Sequence, residues 1–432
     1  MTTPPAEHAE PLAPLAWFRI LFGALMAVES FGAIATGWVG RAFVEPRLTF
    51  PLHGLEFLRV LSGPAMYGYF VLMGFAALGV AAGYRYRASG TLLALLWTGA
   101  YLGQKSHYNN HYYLAVLVCW WMVALPAHRQ RSMDVAAGRV ERASSCSPYA
   151  LRILRWQLLL VFVYAAIAKL YPGWLNGDYL RTNLGAKGDR WPLGTLIVKP
   201  SFQAFTVWAA ILFDAFVIPA LMWRRTRIAA LLGLVAFNLF NSIVFRIGIF
   251  PYMVLAMTVL FFPDCWREDK AREAHVALSP RLLKVMAIFA ICQLALPLRH
   301  HLIPGDVNWT EEGHRMSWRM MLRSKSGVLN LAVTDHRSGE TWNVRLLDWL
   351  SQRQKQRIAV QPEFLHRFAR DLRAHYEGLG RDDVGVYVTH SAVSLNGTPS
   401  QPLYRLGVDI SRASWSHGLQ HDPWVLHRTD ER

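Results

Sequence analysis

Nine apolar stretches separated by short polar ones fill the first 300 residues. They cover about residues 15–37, 64–84, 88–104, 111–126, 153–171, 204–223, 227–246, 248–263 and 283–298. Several approach the ~20 residues a helix needs to cross ~30 Å of hydrocarbon. The two at 248–263 and 283–298 are short and fit a tilted, re-entrant or protein-packed helix as well as a span. Eight or nine spans are therefore expected. From about residue 303 the pattern changes and polar residues return. Val328–Thr334, a turn at Asp335–Gly339 and Thr341–Leu346 predict a β-hairpin. Pro362–Tyr376 predicts an amphipathic helix with Phe364, Leu365, Phe368, Ala369 and Leu372 on one face. Val384–Val388 and Leu403–Ile410 predict further strands. The expected fold is an α-helical polytopic membrane protein of eight or nine spans with a C-terminal α/β extramembrane domain. The expected domains are a transmembrane bundle at 1–302 and a soluble domain at 303–432.

Composition agrees with this pattern. The 432 residues are 53% hydrophobic and only 17% charged, with mean hydropathy +0.19, a profile unlike that of a large globular enzyme. The net charge of +16 raises nucleic acid as a partner. The basic residues fall mostly in short loops between apolar runs, however, where they set membrane orientation. No basic and aromatic nucleic-acid module is present, so no nucleic-acid partner is expected. The loops holding Arg85 and Arg87, Arg129 to Arg142, Arg224 to Arg227, and Arg267 to Lys284 alternate along the chain. With nine spans this places the N-terminus in the cytoplasm and the C-terminal domain outside; with eight, the side of the C-terminal domain flips. The loop with Arg181, Lys187, Arg190 and Lys199 departs from that alternation. Four dispersed cysteines, Cys119, Cys146, Cys265 and Cys292, give neither a disulfide framework nor a metal site, and no metal is expected. The first fourteen residues lack a basic start and do not resemble a cleaved signal peptide.

Polar residues inside the apolar runs are few. Lys169 ends the run from Leu158 to Ala168. A lysine within hydrocarbon costs roughly 2.5–3.5 kcal/mol on insertion scales, so its default reading is functional. A desolvated amine can serve as a base where a hydrated ammonium cannot. The alternative is a lysine that snorkels to the interface, since Pro172, Gly173 and Trp174 end the helix soon after. Glu29, Gln157, Asp214, Asn238 and Asn241 are the other intramembrane polar groups, and structural hydrogen bonds or ion pairs account for them equally well. The stretch Lys105-Ser106-His107-Tyr108-Asn109-Asn110-His111-Tyr112-Tyr113 gathers donors and acceptors beside aromatic surface. That suits a flat, partly polar ring such as a quinol. Helix capping by Asn109 or Asn110 with an interfacial aromatic belt is the competing reading. Consecutive spans are usually neighbours, so the lysine and the His/Asn pair are expected to meet. In the tail, Arg353 and Arg357 suit an acidic substrate or, more simply, the solvated face of a basic helix.

These residues resemble the vitamin K-dependent gamma-glutamyl carboxylase family, including bacterial relatives described as HTTM proteins. The resemblance covers about residues 15–425. Phe18-Arg19-Ile20-Leu21-Phe22-Gly23 looks like the family's first-span opening. Lys105 to Tyr113 looks like its K-T-S-W-N-N-H-S-Y stretch, with Tyr108 in place of Trp. Ala168-Lys169-Leu170 with Trp174 matches K-K-L-x-x-x-W, and Asn241-Ser242 to Phe250 matches N-S-x-x-F-x-I-G-x-F. Ser317-Trp318, Met320-Met321 and Val408-Asp409-Ile410 with Trp415 match in the tail.

The resemblance implies a mechanism. Reduced vitamin K (menaquinol or phylloquinol) binds in the membrane, and Lys169 deprotonates it. With O2 it becomes a strong base and then the epoxide, and CO2 joins the glutamate carbanion. His111 and Asn110 carry over as partners of the reacting oxygen, making Lys169, His111 and Asn110 the expected catalytic residues. Tyr108, Asn109, Asn238, Asn241 and Phe250 are expected to line the cofactor, and His314, Trp318, Arg353 and Arg357 the substrate. Expected partners are the lipid bilayer, a glutamate-containing peptide or protein, and a quinone reductase in the same membrane. The logic is physical, because a glutamate γ-carbon is too weak an acid for any side-chain base, and excluding water protects both base and carbanion.

The chain also departs from the vertebrate pattern. Phe237-Asn238-Leu239-Phe240-Asn241-Ser242 stands where that pattern has F-H-x-x-N-S, so a histidine role does not transfer. Gly313-His314-Arg315-Met316 replaces G-L-Y-G-Y, and no cysteine follows Cys292. The alternatives are a quinol oxygenase that does not carboxylate glutamate, and a non-enzymatic membrane scaffold.

Overall fold

The computed structural model describes residues 9–107, 109–185, 194–245, 248–266 and 274–429. Tyr108, Lys187, Arg190, Arg246, Ile247, Arg267, Lys270 and Arg272 lie outside the described residues.

Each apolar stretch forms a helix. They are α1 (Ala13–Ala35), α2 (Ala65–Ala82), α3 (Tyr86–Gly103), α4 (Asn110–Ala124), α5 (Tyr149–Ala168), α6 (Pro200–Met222), α7 (Arg227–Phe245), α8 (Phe250–Met257) and α9 (Pro280–Ala295). Among the described residues, six helical stretches are long and apolar enough to cross a membrane: α1, α2, α5, α6, α7 and α9 with its 3₁₀ continuation to Leu302. The segments expected at 88–104, 111–126 and 248–263 fall short of that measure. At 1.5 Å per residue the 15 residues of α4 rise only about 22 Å. Helix α8 continues into a 3₁₀ turn at Thr258–Phe261.

The chain packs as two compact units. One comprises the residues to Val44, Phe57–Val163 and Asp214–Leu294, and the other Glu45–Glu56, Tyr164–Phe213 and Ala295–Arg432.

In the first unit α1 packs along α2. The approach depends on Gly23, where an added Cβ would sit 2.4 Å from Ala81 N and 2.8 Å from Ala77 O. One turn earlier, Arg19 is fully buried. Its guanidinium donates to Val80 O (2.8 Å), Ala81 O (2.6 Å), Ala127 O (3.2 Å) and Arg131 O (2.6 Å). It thus serves carbonyls in the last turn of α2, where the regular helical partners run out. Asp134 does the converse for α3, accepting from Arg85 N and Tyr86 N, both at 2.8 Å. A small sheet also forms here. Strand β1 (Glu10–Pro11) pairs antiparallel with β2 (Ala143–Cys146), which pairs parallel with β3 (Ala274–Val276). These strands are two to four residues long, too short for an alternating pattern to announce them.

The second unit is built on a sheet in the order β5-β4-β6: β4 (Lys325–Asp335), β5 (Thr341–Asn343) and β6 (Val384–Leu395). The expected hairpin forms. Asp335 Oδ1 accepts from Arg337 N and Ser338 N across its turn, and Gly339 takes φ +71°. The β4–β6 ladder slips between Asn330 and Leu331, which pair with His390 and Val388. Leu329, Leu331 and Val333 point into the core with Val384, Val386 and Val388. Helices α10 (Gln352–Val360) and α11 (Pro362–Gly378) complete it. Phe364, Leu365, Phe368, Ala369 and Leu372 are buried together, as their spacing requires. The strand expected at Leu403–Ile410 does not form. Only isolated bridges, Tyr404 with Val425 and Tyr387 with Asp409, occur there. Gly407 at φ +75° turns the chain, and Asp409 Oδ1 takes Val386 N and Ser411 N in place of ladder partners.

Candidate functional site

In the first unit, α3 ends at Gly103 and a buried 3₁₀ turn, Lys105–His107, leads to α4. Side chains tie the turn down. Gln104 Nε2 donates to Ala42 O (2.8 Å), and Ser106 Oγ donates to Gln104 Oε1 (3.0 Å). Asn109 is the N-cap of α4, its Oδ1 accepting from Tyr112 N at 2.7 Å. The capping reading of Asn109 therefore holds, and it fixes where the next two residues stand. Asn110 is buried. The His111 ring lies 4.6 Å from that of Phe250, centroid to centroid. Its Nδ1 is buried and meets no hydrogen-bonding partner. A buried polar atom left this way costs about 1–3 kcal/mol, so it calls for an explanation.

Phe250 opens α8, which packs against α7 and α1. On α7, Asn238 and Asn241 lie three residues apart and both are buried. Asn238 Nδ2 donates back to Leu234 O (2.8 Å), while its Oδ1 is buried without a partner. The structure thus brings His111 together with Phe250 and places Asn238 and Asn241 on a helix that packs against α8. Orphaned polar atoms beside an aromatic wall fit a flat ring carrying oxygens. Tyr108 lies outside the described residues.

The same unit holds a small cavity of about 20 Å³ walled by Trp38, Phe43, Phe70, Trp97, Tyr101 and Tyr112. Glu29 faces it and accepts from Tyr112 Oη at 3.1 Å, a hydrogen bond of the structural kind expected for an intramembrane acid. No spacing marked this cage in the sequence, because its rings come from four separate helices and loops.

Lys169 belongs to the second unit. It lies one residue past the end of α5 and is 6% exposed. Pro172 ends the helical path, since the residue before a proline avoids the helical region, and Tyr171 is extended at φ −135°, ψ 155°. Lys169 Nζ donates to Ala165 O (3.2 Å) and sits 5.3 Å above the Trp174 ring.

The four residues expected at a substrate site lie in this unit too. His314 and Trp318 are buried. His314 Nδ1 contacts Glu311 O at 2.6 Å and lies 3.3 Å from Glu311 Oε2. Burial holds His314 down at about 3. Glu311 itself binds Arg323 and lies 3.5 Å from Lys325 Nζ. Those charges keep it well below the usual carboxylate range despite its burial. Arg353 is exposed and Arg357 half-buried on α10. Burial, reinforced by Arg353, lowers Arg357 to about 10.

A second cavity, of about 310 Å³, is lined by Ala168 and Leu170 on either side of Lys169, and by His300, Asp306, Asn308 and Arg319. Arg319 Nη2 donates to Asn308 Oδ1 (2.9 Å) and Nη1 approaches His300 Nε2 at 3.2 Å. Arg319 escaped the sequence reading because one arginine in a stretch rich in Arg and Lys carries no periodic signal.

Residues 8–266 match the HTTM domain family. Residues 279–431 match the family of the vitamin K-dependent gamma-carboxylase lumenal domain. No solved structure matches the chain. Together with the apolar helices, the lumenal domain marks an integral membrane protein whose C-terminal domain is extracytoplasmic. The family uses reduced vitamin K and acts on glutamate. Over nearly its whole length, then, this chain belongs to the vitamin K-dependent gamma-glutamyl carboxylase family.

Proposed function

We propose that this protein is a bacterial inner-membrane enzyme that carboxylates glutamate side chains using reduced vitamin K, O2 and CO2. In this reading its N-terminus is cytoplasmic, and a quinone reductase in the same membrane regenerates the hydroquinone. The domains at 1–302 and 303–432 carry quinol chemistry and substrate respectively. The observation that carries the reading is His111. Its Nδ1 is buried without a partner beside the Phe250 ring, in a membrane unit where Asn238 Oδ1 and the side-chain amide of Gln157 are among other buried polar atoms that meet no hydrogen-bonding partner.

When bound, the hydroquinone supplies, with O2, the strong base that no side chain can provide. Lys169 Nζ takes the proton of a hydroquinone hydroxyl, and its burial keeps competing water away. Asn110 and His111 hold the reacting oxygen and offer fixed dipoles to the charge that develops there, which a preorganised site does at no cost of reorganisation. Asn241 and Asn238 orient the ring, and Phe250 walls it. That strong base would take a γ-proton from the glutamate side chain, and the electron pair left on the γ-carbon would form a carbon–carbon bond to CO2, giving a side chain with two carboxylates.

The test is aerobic incubation of purified protein in nanodiscs with vitamin K hydroquinone, a glutamate peptide and labelled bicarbonate. Epoxide and labelled peptide are both expected. Lys169→Ala should lower both at least 100-fold while its melting curve stays that of the parent. Parental turnover by Lys169→Ala would overturn the role of Lys169. Epoxide without label would leave a quinol oxygenase, and neither product from folded protein would overturn the reading altogether.

A further inference from the structure

The small aromatic cavity of the first unit has a lining that the quinol chemistry does not use. Trp38, Phe43, Phe70, Trp97, Tyr101 and Tyr112 surround it, and one carboxylate, Glu29, faces it. The rings meet edge to face. Trp38 stands at 69° to Phe43, 63° to Phe70 and 81° to Tyr112, with centroids 5.7, 5.9 and 6.3 Å away. Trp97 stands at 90° to Tyr112, 5.2 Å away. Rings set upright to one another wall a box, where stacked rings would fill it. Glu29 is half-buried and lies six residues before the end of α1, a rise of about 9 Å. Trp38 and Phe43 follow that helix, and His107 closes the turn between α3 and α4. The cavity therefore sits at the end of these helices, at the depth of lipid headgroups and not at the hydrocarbon centre.

Glu29 Oε1 takes the Tyr112 hydroxyl at 3.1 Å, a neutral donor. Among the described residues, no Lys, Arg or His forms an ion pair with Glu29. His107, which also lines the cavity, approaches Ser106 Oγ with its Nδ1 (3.2 Å) and sets its ring upright to Trp38. A carboxylate in the apolar part of a membrane protein ordinarily meets a cation or another polar partner. Aromatic faces attract a cation within about 6 Å of a ring centroid, and an aromatic cage is a recurrent way to bind an organic ammonium. Size selects which ammonium. A cavity of about 20 Å³ admits one group the size of a water molecule, so –NH3⁺ fits and a trimethylammonium does not. A hard metal cation takes six or more oxygens, and here the amide of Gln104 is already spent on Ala42 O and Ser106 Oγ.

We infer that this cage binds a primary ammonium, with Glu29 accepting its hydrogen bond and the rings facing its charge. At headgroup depth the nearest source is an ethanolamine lipid, and a soluble amine offers the same chemistry. The inference stands apart from the carboxylase reading.

The test uses full-length protein in phosphatidylcholine nanodiscs and reads the melting temperature. Methylammonium chloride should raise it by about 2 °C or more. Tetramethylammonium chloride and sodium chloride at the same ionic strength should not. Replacing half of the phosphatidylcholine by phosphatidylethanolamine should raise it too. Glu29→Gln keeps an oxygen for the Tyr112 hydroxyl and should lose both responses. Trp38→Leu, which keeps the carboxylate and opens the cage, should weaken both, and it stands in if Glu29→Gln fails to fold. A response to phosphatidylethanolamine alone, lost in Glu29→Gln, would assign the site to the lipid headgroup. A response to methylammonium alone, lost in the same way, would assign it to a soluble amine. No response to either, an equal response to tetramethylammonium, or responses that persist in Glu29→Gln would overturn the inference.

Discussion

Glu311 shows how much of a site a single residue can carry without any trace in the sequence around it. It is buried, and it is held by Arg323, Lys325 and His314. Lys325 Nζ also donates to Trp309 O (2.6 Å) and Val360 O (2.7 Å). A buried ion cluster of this kind is weak evidence for stability as built, but removing one member leaves the others uncompensated. Glu311→Gln should therefore destabilise the second unit by about 3–5 kcal/mol. Replacing Lys325 by Met in the same protein should restore part of that loss. Chemical denaturation of the single and double variants checks both, and additive losses would refute the cluster account. The legible residues were those whose setting is local. Lys169 stood out because its neighbours are apolar, and Asn109 because it precedes a helix. Glu311 and Arg323 pair across a loop, and Arg319 reaches His300 19 residues away. No local pattern encodes such pairings.

At the scale of elements, the start of α4 links packing to chemistry. Asn109 was expected both as a cap and as a cofactor-binding group, and its Oδ1 serves as the cap. Serine caps a helix about as well as asparagine, and alanine loses about 1 kcal/mol. Asn109→Ser should therefore keep both stability and quinol epoxidation, whereas Asn109→Ala should lose about 1 kcal/mol and, by loosening His111, several-fold in epoxidation. If Asn109→Ser lost activity while remaining as stable as the parent, the amide would be a direct ligand. The long helices were legible because an apolar run of that length has few other uses. So was α11, whose 3.6-residue stripe fills the core. The stretch Leu403–Ile410 misled because an apolar and β-branched composition outweighed the turn at Gly407 and the backbone-seeking carboxylate of Asp409. Of the eight or nine spans expected, six among the described residues are both long and apolar enough to cross a membrane, and the remaining apolar runs also form helices.

At the scale of the whole molecule, the two units draw on segments far apart in sequence. Gln354 Nε2 reaches Leu48 O at 2.8 Å, Arg367 Nη1 reaches Glu56 Oε1 at 2.7 Å, and Phe364 meets the Phe50 ring at 5.2 Å. A change in composition near residue 303 cannot reveal that residues 45–56 pack with the tail. This shared packing makes acid sensitivity a property of the whole second unit. His314 titrates at about 3 when folded, against 6.5 for the ordinary imidazole. Between those values the unfolded chain binds a proton that the folded one refuses, so stability falls as pH drops below about 6.5, at up to about 1.4 kcal/mol per pH unit. His366, also lowered by burial, acts in the same direction. Glu311 has a depressed folded value, so its contribution is present above the ordinary 4.5 and is lost only as pH falls below it. The two effects occupy different windows. The melting temperature of the parent should be flat above pH 7 and fall from 6.5 to 4.5. His314→Gln, which cannot titrate, should make that slope shallower, leaving the share of His366, whatever its own stability at pH 7.5. A slope equal to the parent's over that interval would show that His314 is not the group that takes up the proton on unfolding.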